Sequence, residues 1–222
     1  MRSGARYDGL ADWYDAEFQP APLESETWEV LVRLLGNGSG SLIDVGCGTG
    51  AYAVGLAERG WEVTGTDMSA DMLRRAQAKG VHAIPADATS LPFEDASFDA
   101  AVSVFTHSDV GDFPGVVREV ARVIRPGAPF VYVGLHPCFV GPHSRFVEGR
   151  GVPQLHAGWY RESRRYDDAP GISPTGLRAK VGATHLPLAE FLQSFLDAGF
   201  ALERIEEPGS RDYPIAIALR CR

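Results

Sequence analysis

Residues 42–50 read LIDVGCGTG, in which Leu42, Ile43 and Val45 surround one aspartate, Asp44, and glycine then recurs at every second position through Gly46, Gly48 and Gly50. The apolar residues suit the end of a buried parallel strand, and the glycines allow backbone angles or close approaches that a Cβ would forbid. Immediately downstream, AYAVGLAER at 51–59 places Ala53, Val54, Leu56 and Ala57 at roughly helical spacing, and Gly60 stops the run. The unit is strand, glycine loop, helix. In open α/β sheets, the carboxyl end of a first strand beside a helix N-terminus is where nucleotide-like ligands bind.

Two ligand classes fit that address. Gly46, Gly48 and Ala51 satisfy a relaxed dinucleotide fingerprint, with Asp67 about 20 residues further on, so a nicotinamide oxidoreductase is one alternative. Asp44 argues for the other. A carboxylate inside the strand end faces a pyrophosphate badly but can help to hold a ligand that carries an ammonium group, and S-adenosylmethionine carries an ammonium and no phosphate.

Four stretches in order, LIDVGCGTG, VTGTDMS at 63–69, ADATSLPFEDASFDAAVS at 86–103 and VARVIRPGAPFVYVG at 120–134, resemble the successive motifs of the class I S-adenosylmethionine-dependent methyltransferases. They cover most of residues 40–135, and the nearest-looking branch is the small-molecule and quinone-type group. The resemblance implies a Rossmann-like α/β fold: a seven-stranded, mostly parallel sheet with helices on both faces and the last strand antiparallel, inserted beside the sixth. It also implies S-adenosylmethionine as cofactor and methyl transfer to an oxygen, nitrogen or activated carbon. A chain that keeps this fold and ligand yet catalyses another reaction, or only binds, is the remaining alternative, because fold does not fix function.

At 222 residues and 45% hydrophobic, the chain is long enough for one full core, and one methyltransferase domain over 1–222 is expected. The formal charge of -8 opposes an electrostatic footprint for nucleic acid, despite local arginines at 161, 164 and 165. A small-molecule acceptor fits better, with the protein a monomer or homodimer. No apolar run approaches a membrane span and no early stretch resembles a signal peptide, so a cytoplasmic protein without membrane association is expected. Cys47, Cys138 and Cys221 lack C-x-x-C spacing and are expected to be thiols.

Along the chain, residues 5–18 and 23–35 carry helical patterns and form an expected N-terminal lid over 1–38. The core, 39–136, then alternates: strand 41–45, helix 51–59, strand 61–67, helix 69–78, strands 81–85 and 98–104, helix 112–123 and strand 128–135. Such alternation argues a parallel sheet covered by helices. Residues 137–186 break the pattern with scattered Gly, Pro, Arg and aromatic residues, so an insertion after the fifth strand is expected to cover the acceptor. Within it, WYRESRRY at 159–166 and VGATHLPL at 181–188 suit two short strands. The core resumes at 187–222 with a helix over 187–198 and two strands joined by a Pro-Gly-Ser turn.

Several residues stand where chemistry is needed. Asp67 ends the second strand, where a carboxylate can accept hydrogen bonds from two ribose hydroxyls. By resemblance, Met68 packs on adenine, Asp87 accepts its exocyclic amine while the backbone N–H of Ala88 meets the ring, and Tyr14 in the lid stretch YDGLADWYD reaches the methionine end. Asp44, Gly46, Cys47, Gly48, Gly50 and Phe105 complete the expected cofactor set. Methyl transfer gains mainly from positioning, and needs a base only where the acceptor must lose a proton. His107 after the fourth strand and His136 after the fifth both fall at the carboxyl edge of the sheet and are the candidate bases. His143, Tyr160 and His185 are the expected acceptor-binding residues. The histidines lack the close spacing of zinc ligands, so no metal is expected.

Overall fold

The computed structural model describes residues 5–18, 21–146, 151–173 and 176–222. Residues 1–4 and 19–20 of the expected lid, and 147–150 and 174–175 of the expected insertion, lie outside the described residues. The N-terminal stretch makes turns through residues 5–10, then a short helix α1 (Ala11–Trp13) that widens into one π turn over Tyr14–Phe18. The helical periodicity at 5–18 therefore yields a helix only in its second half. The first half is fastened elsewhere: Gly9 N–H donates to the Asp71 carboxylate, and the Ser69 hydroxyl donates to Asp8 at 2.7 Å.

Next come α2 (Glu26–Leu35), β1 (Ser41–Val45), α3 (Ala51–Ala57), β2 (Glu62–Asp67), α4 (Ala70–Ala78), β3 (His82–Pro85), β4 (Ala100–Val104), α5 (Phe113–Val123) and β5 (Phe130–Leu135). The starts of α2, α4 and α5 are capped by side-chain oxygens. The Ser25 and Ser69 hydroxyls accept from Trp28 N and Met72 N, and Asp112 accepts from Gly115 N at 2.8 Å. In α5, Phe113, Val116, Val117, Val120 and Val123 are all buried, which is the apolar face of an amphipathic helix.

The insertion holds two antiparallel strand pairs, β6 (Ser144–Phe146) with β7 (Pro153–Leu155) and β8 (Arg164–Tyr166) with β9 (Ala183–His185). The latter pair is the one expected from WYRESRRY and VGATHLPL. Between β8 and β9 lies a short helix, α6 (Leu177–Val181). The chain closes with α7 (Leu188–Asp197), β10 (Leu202–Glu206) and β11 (Ala216–Cys221).

Seven strands form one sheet in the order β10-β11-β5-β4-β1-β2-β3. β11 pairs antiparallel with both β10 and β5, whereas the other pairings are parallel. This is the Rossmann-like α/β sheet expected, with six parallel strands and an antiparallel last one beside the sixth. One face packs on α5 and α7 through Phe113, Tyr132, Phe191 and Phe195, and the other on α2 and α3 through Leu31, Leu34, Leu56 and Val131. The strand order reverses between β1 and β4, so the loops leaving those two strands diverge and open a crevice at their carboxyl ends.

At that crevice Gly50 is held at φ 77°, and a Cβ there would lie 2.8 Å from the Ala76 Cβ in α4. Gly50→Ala therefore combines left-handed strain with a clash against a packed helix. A loss of about 1–3 kcal/mol in urea unfolding is expected; an unchanged midpoint would show that the loop does not need this approach.

Candidate functional site

A cavity of about 660 Å³ opens at the carboxyl edge of the sheet. Its floor is the glycine loop after β1. Gly46 N and Cys47 N both donate to Thr66 O, at 2.8 and 2.9 Å, and Gly48 N donates to Asp67 Oδ2 at 3.0 Å. The other carboxylate oxygen, Asp67 Oδ1, accepts from Ser69 N at 2.8 Å. Asp67 is thus fixed at the end of β2 by one backbone N–H on each oxygen, which leaves each oxygen able to accept once more. Burial pushes its pKa up, and the N–H groups of Ser69 and Gly48 oppose that push. Such a fixed, half-buried carboxylate on the cavity wall suits a vicinal diol.

Asp44 is 2% exposed, and its Oδ2 has no hydrogen-bond partner. Burial first, and the charge of Asp67 second, raise its pKa to about 7. Beside it is an annexe of about 30 Å³, bounded among others by Tyr14, Thr49, Tyr52 and Phe105. An orphaned buried carboxylate oxygen at the mouth of a space this small calls for a compact cation, and an ammonium supplies both the charge and the donors. The burial of the Cys47 thiol on the same loop raises its pKa, which keeps it a neutral, small wall residue.

Phe105 follows β4 in the left-handed region, at φ 60°, an uncommon state for an aromatic residue. The turn places it on the walls of both the cavity and the annexe. Tyr14 also lines both, and burial raises its pKa so that its hydroxyl stays protonated. Met68, Ala86 and Ala88 line the main cavity, with Met68 62% exposed.

Other expected site residues lie elsewhere. Asp87 is exposed and outside the cavity wall, between Ala86 and Ala88, which line it; its Oδ1 accepts from Thr89 N at 2.8 Å and Thr89 Oγ1 at 2.7 Å, a local turn that uses one of its two oxygens. His107 is not on the cavity either. The left-handed Phe105 starts a 3₁₀ turn over Thr106–Ser108 that swings the imidazole into the core, where its Nδ1 lies 2.5 Å from Tyr132 Oη among Phe113 and Phe191. Burial lowers its pKa to about 3, so the expectation of a base at His107 is corrected to a neutral core histidine.

His136 is 3% exposed and occupied at both nitrogens: Nδ1 accepts from Cys138 N at 3.2 Å, and Nε2 meets Glu207 Oε1 at 2.8 Å. It stays behind the cavity wall formed there by Leu135 and Val140, and the second candidate base is likewise corrected. His143, Tyr160 and His185 do come together, with ring centroids 5.0–5.5 Å apart, but inside the insertion rather than on the cavity. His143 Nε2 donates to Cys138 O at 2.9 Å and His185 Nε2 to Tyr160 O at 2.8 Å. These contacts tie the insertion together, so the acceptor-binding expectation for the trio is corrected to a packing role.

The sequence reading missed Asp109 and Arg178, which face each other across the cavity wall at 2.5 Å. Asp109 could have been flagged, since it stands just past β4 at the same sheet edge as His107. Arg178 sits in the insertion, where neither motif nor periodicity marks it.

The family described as "Methyltransferase domain" matches residues 43–132. A malonyl-[acyl-carrier protein] O-methyltransferase of Pseudescherichia vulneris is 30% identical over 158 residues, 70% of this chain and 57% of that protein. A demethylmenaquinone methyltransferase of Mycolicibacterium gilvum is 34% identical over 128 residues, 56% of each. The chain therefore spans little more than half the length of these curated relatives. Among solved structures, an S-adenosylmethionine-dependent methyltransferase from Mesorhizobium loti superposes with a TM-score of 0.75 at 25% identity, covering 89% of this chain and 98% of that one.

The buried histidines give a test of placement. His107, His143 and His185 are all driven toward the neutral form by burial, His107 to about 3 and His185 to about 4, against about 6.5 unfolded. Their folded pKa values are depressed, so the stability they allow is intact above pH 6.5 and is lost as pH falls from there toward 3. Asp44, with a raised pKa, works the opposite way, so the parent profile alone is ambiguous. The difference resolves it: His107→Gln should cost stability at pH 7.5, and its deficit relative to the parent should shrink by about 2.7 kcal/mol by pH 4.5 in chemical unfolding. A constant deficit would place His107 in contact with solvent.

Proposed function

Because the chain belongs to the class I S-adenosylmethionine-dependent methyltransferase family, we propose that it moves a methyl group from S-adenosylmethionine to an oxygen, nitrogen or activated carbon of a small metabolite. The observation that carries this reading is the unpartnered, buried Asp44 Oδ2 beside an ammonium-sized annexe that shares Tyr14, Gly46, Gly48 and Phe105 with the wall of the larger cavity, on which the fixed Asp67 carboxylate lies. S-adenosylmethionine has the ammonium and the ribose diol that these two groups require, and when bound it supplies a methyl on an already electrophilic sulfonium.

The residues divide the work by position. Asp44 would hold the amino group and Asp67 the ribose hydroxyls, while Gly46, Cys47, Gly48 and Gly50 keep the loop low enough for close approach. Met68 and Ala88 would face the adenine, with Tyr14 and Phe105 between the annexe and the main cavity. Val110, Val140, Leu177 and Ile215 give the remaining wall an apolar part beside Asp109 and Arg178, which favours an acceptor with a substantial apolar part and helps to exclude water from the reacting centre. With the histidines turned away, alignment rather than a histidine base accounts for the rate.

We assign 1–38 to a lid, 39–136 to cofactor binding, 137–186 to an acceptor cover and 187–222 to the closing helix and strands of one domain. Among the described residues no helix is long and apolar enough to cross a membrane. A cytoplasmic monomer or homodimer acting on a small molecule, without nucleic acid, completes the proposal.

Calorimetric titration with S-adenosylhomocysteine tests it. Asp67→Ala should weaken binding by roughly 1.5–3 kcal/mol, the worth of charge-assisted hydrogen bonds. An ammonium next to Asp44 lowers its raised pKa, so binding at pH 7 should release a fraction of a proton, seen as a dependence of the heat on buffer ionisation enthalpy, and Asp44→Asn should abolish that dependence. Stabilisation by NAD in place of S-adenosylhomocysteine would overturn the assignment.

A further inference from the structure

Asp109 lies where two separate covers of the cavity meet. From the N-terminal stretch, Tyr7 Oη donates to Asp109 Oδ1 at 2.8 Å. From α6 of the insertion, Arg178 Nη1 donates to the same oxygen at 2.5 Å, while its Nη2 reaches Asp109 Oδ2 at 3.4 Å and Ser108 Oγ at 2.8 Å. All three residues line the cavity, and the Asp109 and Arg178 side chains are only 24% and 19% exposed. Two weaker contacts join the same covers directly: Arg6 Nη1 donates to Val181 O at 3.2 Å, and the Lys180 ammonium stands 5.1 Å from the Trp13 ring centroid.

The same N-terminal stretch is tied on its other side to the cofactor end of the sheet. Asp8 accepts from Ser69, Asp15 accepts from Thr49 Oγ1 at 2.5 Å and pairs with Lys79 at 2.9 Å, and Asp12 pairs with Arg75. Tyr14 therefore sits on a strap anchored at both edges of the cavity. The Arg75 and Asp12 side chains are largely exposed, so their pair contributes little once screened by solvent. The Asp109 contacts are sheltered and charge-assisted, and removing the carboxylate would leave a guanidinium without its counter-charge.

We infer that Asp109 is a positioning residue that clasps the N-terminal strap to α6, so that the two covers close over the bound cofactor as one unit and hold Tyr14 at the annexe. The inference rests on the proposed cofactor for its probe. Sharing one carboxylate oxygen couples the covers: when either donor is lost, the carboxylate that anchors the other cover loses one of the hydrogen bonds that hold it in place. Entry and exit of the cofactor then require both covers to release together, and Asp109 sets how long the cofactor stays.

Hydrogen exchange of the full chain, with and without S-adenosylhomocysteine, tests the clasp in the parent, Asp109→Asn, Tyr7→Phe, Arg178→Met and the Tyr7→Phe/Arg178→Met double variant. Each single variant should speed exchange in both 5–18 and 177–182, with the amides of β4 and β5 unchanged. S-adenosylhomocysteine should dissociate about 10-fold faster in competition measurements, and the double variant should be little worse than the more severe single one, since both donors act through one acceptor. Exchange that rises only in the segment carrying the mutation, effects that simply add, or an unchanged dissociation rate would overturn the clasp. General loosening that reaches β4 and β5 in all variants would also overturn it, as a merely structural role. If Asp109→Asn does not fold, the Tyr7 and Arg178 variants decide alone. If the parent does not bind S-adenosylhomocysteine, the cofactor assignment fails, while exchange in the unliganded proteins still settles whether the covers are coupled.

Discussion

The architecture of the site depends on the fastening of the glycine loop to the end of β2. Thr66 O receives two successive N–H groups from the loop, and Asp67 receives a third from Gly48. These bonds satisfy donors that a tight turn would otherwise leave unpaired at a buried position. They also fix Asp67 on the cavity wall and bring it close enough for Asp44 to feel its charge. Two carboxylates held this near one another in a sheltered crevice are costly in isolation. A ligand that brings a cation and a diol relieves that cost, so the arrangement that builds the loop also favours its occupant.

The β4 side of the crevice is shaped by a different constraint. Phe105 adopts a left-handed conformation, and everything after it turns with it. The consequence is an exchange of places: the aromatic ring and Asp109 come to the cavity, while His107 goes into the aromatic layer between α5, β5 and α7. An imidazole in that layer is stable only when neutral and hydrogen-bonded, and the Tyr132 hydroxyl provides the bond. The polar side chains left at the cavity on this side, Tyr7, Asp109 and Arg178, belong to three segments far apart in sequence. Their meeting is what joins the insertion to the N-terminal stretch.

The sequence by itself determined the sheet and the glycine loop at the carboxyl end of β1, because those features rest on local rules. Apolar runs at strand and helical spacing mark β1 to β5 and their helices, and a strand that ends in glycines marks the loop. Asp44, Asp67 and Phe105 inherit their places from the strands that carry them. Residues on turns and in the insertion were decided only by tertiary structure. One left-handed residue redirected His107, a hydrogen bond to Glu207 fixed His136, and the contact of Arg178 with Asp109 spans 69 residues. A strand or helix repeats its geometry from residue to residue, so position in sequence gives direction in space. A turn has no such repeat, and the direction of its side chains follows from partners that only the assembled fold supplies.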